Sequence, residues 1–139
     1  MTTEDVRKMR IHTKMLLGNY LTFKMKADQS GGSGRCRQCD NGEDDDICHI
    51  LTSHMSPERK EILDQISFVS QHSQCQLNFH IIMKDSAKLT QYILDPTSLN
   101  LENRIGMSDP ILPDVIKLCQ TFCHLTDKER QETLKTLSI

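Results

Sequence analysis

The chain has 139 residues, 37% of them hydrophobic and 26% charged, with no Trp; this is enough for one packed core and too short for a multidomain enzyme. Seventeen Lys and Arg stand against nineteen Asp and Glu, a formal charge of −2, which excludes a uniformly basic nucleic-acid binder but allows a local basic surface. No apolar run approaches a membrane span.

The N-terminus, Met1-Thr2-Thr3-Glu4-Asp5, lacks the charged-then-apolar pattern of a secretory signal, so an intracellular protein, nuclear or cytoplasmic, is expected. In a reducing compartment the six cysteines are expected as metal ligands or core residues rather than disulfide partners. Residues 3 to about 22 are expected to form a helix, with Thr2 or Thr3 as N-cap and Glu4 and Asp5 in the first turn. Val6, Met9, Leu16, Leu17, Tyr20 and Leu21 supply its apolar spacing, and Gly18 weakens its last turn. Residues 1–39 carry eight basic side chains (Arg7, Lys8, Arg10, Lys14, Lys24, Lys26, Arg35 and Arg37) against three acidic ones, a net +5. Ser30-Gly31-Gly32-Ser33-Gly34 breaks regular structure and reads as a flexible connection.

The most specific feature comes next. Cys36-Arg37-Gln38-Cys39 is followed after nine residues by His49, and after four more by His54. Two thiolates separated by two residues sit on one tight turn, and two imidazoles five apart can meet the same ion from the start of a helix or a helical turn. Zinc suits this sulfur and nitrogen set, and four protein ligands leave no open position for a substrate, so the expected site is structural. Cys48 is an alternative to His49 in the set. A thioredoxin-like redox role is disfavoured because no strand–helix context surrounds the pair. Asp40 and Glu43 to Asp46 lie between the ligand pairs; they lack the spacing of a calcium loop and are expected as a solvated acidic run.

Ser56-Pro57 caps a helix to about residue 71, with Ile62, Leu63, Ile66 and Val69 as its apolar stripe. Residues 75–83 alternate like a strand, but nothing else in the chain offers a pairing partner, which favours an irregular or helical segment. Asp85 or Ser86 caps a short helix carrying Leu89, Tyr92 and Ile93, stopped by Asp95-Pro96. A loop then runs to Pro113. Beyond it Val115, Ile116, Cys119, Phe122 and Cys123 form a helical stripe, and Thr126 with Glu129 reads as a capping box that opens a last helix bearing Leu134 and Leu137. Cys119, Cys123 and His124 are expected in the core rather than as a second metal site, and His12, His72 and His80 in structural roles.

The expected fold is mainly α: a small helical domain with a structural zinc-finger-like loop, divided into a basic helix over 1–29, a zinc-binding element over 30–56 and a helical region over 57–139.

The cysteine and histidine spacing resembles the Cys-Cys-His-Cys zinc-binding element at the C-terminal end of non-LTR retrotransposon reverse transcriptases. There a His followed by two apolar residues, like His49-Ile50-Leu51, precedes a final Cys; this chain has His54 at that position. Arg7-Lys8-Met9-Arg10 through Gly18-Asn19-Tyr20 resembles the basic helix before that element, and Gln91-Tyr92-Ile93-Leu94-Asp95 a segment after it. Nothing resembles the polymerase palm or the endonuclease, so the chain looks like a detached or domesticated C-terminal piece. The resemblance implies a module that helps hold template RNA or target DNA and is not itself an enzyme. Arg7, Lys8, Arg10, Lys14, Arg35 and Arg37 are the expected phosphate contacts, weak and salt-sensitive, with no membrane and no small-molecule substrate. The alternative is a helical protein-interaction module, with a partner chain on its C-terminal helices and a purely structural zinc, or an inactive retroelement fragment.

Overall fold

Helix boundaries in this chain follow from side chains that satisfy the free amides of a first turn. The computed structural model describes residues 2–22, 34–39, 43–100 and 103–137. Helix α1 spans Thr3–Leu16, α2 Ile47–Thr52, α3 Pro57–Ser70, α4 Phe79–Met83, α5 Ser86–Leu94 and α6 Leu112–Leu137. Thr2 opens α1 with a capping box: its hydroxyl accepts from the Asp5 amide at 3.0 Å, and its own amide donates to Asp5 Oδ2 at 3.1 Å. Asp46, Ser56, Asn78 and Asp85 cap α2 to α5 by accepting first-turn amides. The architecture is mainly helical, as expected, and the one β-bridge among the described residues pairs Arg35 with Asp44. No helix among them is long and apolar enough to cross a membrane.

The long helix α6 is the axis of the fold; α1, α3, α5 and α2 all pack on it. Its buried residues Val115, Cys119, Phe122, Cys123, Thr126 and Arg130 recur mostly at steps of three and four, one continuous stripe. Leu63 and Ile66 of α3, Phe79 and Ile82 of α4, Leu89, Tyr92 and Ile93 of α5, and Ile50 and Leu51 of α2 complete a single core. Met15, Ile50 and Leu63 belong to that one cluster, so the segments 1–29, 30–56 and 57–139 share it.

Three expectations are corrected. First, α1 stops at Leu16 instead of running to about residue 22. Gly18 at φ +74° closes it, with the Gly18 amide donating to the Met15 carbonyl (3.2 Å) and the Asn19 amide to that of Lys14 (2.8 Å), a Schellman-like turn. Tyr20 therefore enters the core from beyond the helix. Second, the inner face of α1 is His12 and Met15, whereas Val6, Met9, Leu16, Leu17 and Leu21 are exposed. His12 is tolerated inside because its Nε2–H donates to the Ile93 carbonyl at the end of α5 (2.9 Å). Third, α6 is one helix through residue 126. The Thr126 hydroxyl donates back to the Phe122 carbonyl at 2.7 Å within the helix, so it caps nothing. Residues 75–83 form no strand: 76–78 have no regular structure and Phe79–Met83 is helical. Lys24, Lys26, Asp40 and the run from Ser30 to Ser33 lie outside the described residues.

Candidate metal centre

The two cysteines sit on a knuckle made by backbone pairing. The Cys36 amide donates to the Glu43 carbonyl at 2.8 Å and the Asp45 amide to that of Gly34 at 2.9 Å, which closes the loop between the ligand pairs. The Gln38 amide donates to Cys36 Sγ at 3.4 Å. His49 rides on α2, whose first turn is fixed by the Asp46 carboxylate accepting from the His49 amide at 2.9 Å. His54 follows the end of α2 in the left-handed region, φ +54°, which turns its ring back toward the knuckle.

One donor atom each from Cys36, Cys39, His49 and His54 lies within 4.8 Å of all the others. Cys39 Sγ is 3.1 Å from His49 Nε2 and 3.0 Å from His54 Nε2, and Cys36 Sγ is 3.5 Å from His54 Nε2. A tetrahedral ion with ordinary metal–sulfur and metal–nitrogen bonds needs sulfur–nitrogen edges of about 3.5 Å, close to these. The donor set therefore fits a metal ion. His49 is further oriented: its Nδ1 lies 2.8 Å from Glu43 Oε2 and 3.1 Å from Ser53 Oγ, so the carboxylate holds the proton on Nδ1 and leaves the Nε2 lone pair for a metal. The His54 pKa is lowered by burial, His49 and Arg59, partly offset by Glu43, which favours the neutral ring a metal requires. Cys36 and His49 are buried, Cys39 half-buried and His54 exposed, so one side of the centre faces solvent.

Cys48, the alternative to His49, is not in this cluster. Cys119 and Cys123 are fully buried in the core as expected, and burial pushes both thiols up, away from ligating thiolates.

Of the acidic run expected to be solvated, Glu43 and Asp44 are exposed, but Asp45 and Asp46 are drawn in. Asp45 is fully buried and accepts from Arg130 Nη1 and Nη2, each at 2.8 Å, while Asp46 caps α2 and Glu43 orients His49. Arg59 of α3, 3% exposed, donates to the carbonyls of Ile50 and Leu51 (3.2 and 2.8 Å) and of Ser53 and His54 (3.4 Å each). Sequence reading missed Asp45, Arg59 and Arg130. For Arg130 a signal existed, since it falls four residues after Thr126 on the apolar stripe of α6, where a cation needs a partner. A crevice of about 280 Å³ beside the centre is lined by His54, Ser56, Arg59, Glu129 and Arg130, a wall of mixed charge suited to water.

The basic residues divide. Arg7, Arg10 and Lys14 are exposed and lie within about 60° of one another around α1, from the 100° step of a helix. Lys8 is half-buried and lines a groove with Lys117, Gln120 and Thr121 of α6. Arg35 and Arg37 are exposed on the knuckle. Asp5 and Met9 of α1 line the same groove as Lys8, and beyond the end of α1 Tyr20 donates to Asp127 of α6 at 2.6 Å. No family model, curated protein or solved structure matches the chain.

Proposed function

We propose that the chain holds one zinc ion in a closed Cys36, Cys39, His49 and His54 site and serves as a non-enzymatic nucleic-acid-binding module, the role its motif resemblance implies. The observation that carries the metal reading is the convergence of four donors at near-tetrahedral separations, with a carboxylate behind one histidine. Two sulfurs and two nitrogens favour zinc over the oxygen-seeking cations, and a site closed by four protein donors has a structural use. Nucleic acid as the ligand is supported by Arg7, Arg10 and Lys14 on one exposed face of α1 and by Arg35 and Arg37, exposed on the knuckle.

Elemental analysis of the purified chain should find one zinc per chain, lost on Cys36→Ser and absent from a Cys36→Ser/Cys39→Ser variant. Zinc retained in the double variant overturns the site. RNA and DNA binding should weaken steeply with salt. Neutralising Arg10, Lys14 and Arg37 together should lower the logarithmic salt slope by about 0.7–0.9 for each phosphate that is no longer neutralised. An unchanged affinity and slope would favour the second reading, a protein-interaction module. Its supporting observation is that Val6, Met9 and Leu16 are exposed on α1 and Phe68 on α3.

A further inference from the structure

Helix α2 has six residues, too few to hold itself, and its last carbonyls have no partners within the helix. The Ser53 amide serves the His49 carbonyl, and one side chain serves those of Ile50 and Leu51. The Arg59 guanidinium, rooted in the first turn of α3 where its amide donates to Ser56 Oγ at 3.1 Å, reaches back beneath α2. There Nη2 serves Ile50 and Leu51, and Nη1 serves Ser53 and His54. Its central carbon lies 5.0 Å over the Phe122 ring of α6, which ties that grip to the core. Ile50 and Leu51 follow ligand His49, and His54 is itself a ligand held at an unfavourable left-handed φ of +54°. The same guanidinium thus spans the chain from one histidine to the other.

We infer that Arg59 is a positioning residue of the metal centre, setting the separation of His49 and His54 through the carbonyls of Ile50, Leu51 and Ser53 between them and that of His54 itself. This rests on the metal reading above and goes beyond it: the histidine half of the site is organised by α3 and not by its own loop. Lysine cannot replace arginine here, since a single ammonium lacks the planar fork that reaches carbonyls on both sides.

The test is a cobalt(II) titration of the full chain, reading the ligand-field absorption, for wild type, Arg59→Met, Arg59→Lys and the core control Phe79→Leu. Phe79 is buried in α4 against Tyr92, ring centroids 5.1 Å apart, so its truncation loosens the core while leaving the turn's own partners in place. Arg59→Met should weaken cobalt binding by about 10–100-fold and change the band shape, the range seen when a group that orients metal ligands is removed. Arg59→Lys, which keeps the buried charge and serves if the Met variant does not fold, should also bind more weakly with an altered band. Phe79→Leu should lower the unfolding midpoint and keep the wild-type affinity and spectrum. Equal affinity and spectrum in wild type and the Arg59 variants would overturn this inference alone, as would an equal loss in Phe79→Leu. A wild-type chain that takes up no cobalt would overturn the metal reading and this one with it.

Discussion

Truncating Asp45 to Ala tests whether the knuckle is fastened to the bundle by one buried ion pair. Asp45 is 0% exposed and Arg130 8%, and both carboxylate oxygens accept from the guanidinium at 2.8 Å. Burial alone lowers the Arg130 pKa; the hydrogen bonds and charge of Asp45, with Tyr20 and Cys36 behind them, turn that into a net rise. Removing Asp45 leaves the cation buried without its counter-charge, a loss of about 3–5 kcal/mol, against a total stability of about 5–15 kcal/mol for a domain of this kind. With a urea dependence near 2 kcal/mol per molar, the midpoint should fall by about 2 M in circular-dichroism unfolding. Arg130→Met should cost a similar amount, because it strands the carboxylate instead. The Asp45→Ala/Arg130→Met pair should cost clearly less than the two singles together, since no charge is then left alone. A midpoint shift under about 0.3 M for Asp45→Ala, or full additivity in the double variant, would show that water replaces the partner and that the pair does not fasten the knuckle.

Tyr20 and Tyr92 are held above the ordinary value near 10 chiefly by burial, reinforced at Tyr20 by its hydrogen bond to Asp127 and opposed at Tyr92 by that to Ser70. The native chain keeps these protons where the unfolded chain loses them, so their stabilisation is complete below pH 10 and declines above it by about 1.4 kcal/mol per pH unit for each tyrosine. Tyrosinate absorbance should therefore appear together with unfolding, and a rise near pH 10 with the helical signal intact would refute the burial argument. Ser56→Ala removes the α3 cap and the 2.7 Å bond to Glu129, and should cost about 1–2 kcal/mol in denaturant unfolding; an unchanged midpoint would mean water caps the helix equally well. Gly18→Ala places a Cβ in open space but at φ +74°, so the cost is backbone strain alone, about 1 kcal/mol in the same assay, with Gly18→Asn milder. A stable Ala variant would mean that the turn relaxes.

What the sequence determines here is local. Thr2, Ser56 and Asp85 mark helix starts because a cap and the amides it satisfies lie within three residues. Cys36, Cys39, His49 and His54 were legible as a ligand set for a related reason: the spacing of donors on a turn and on a short helix carries most of the geometry. Tertiary structure decided what depends on distant neighbours. Which face of α1 turns inward was settled by the free carbonyl of Ile93, which accepts a histidine, rather than by the apolar spacing that favoured Val6 and Met9. Whether α6 breaks at Thr126 was settled by the packing of one stripe that runs through Thr126, from Leu112 to Arg130. Asp45 reads as one more charge in an acidic run, and Arg59 as a surface cation on a helix. Each became buried because a partner 85 residues away, in Asp45's case, or the unpaired end of a six-residue helix, in Arg59's, compensates its desolvation. That compensation exists only when the folded chain brings the two groups together, and no local pattern of residues encodes it.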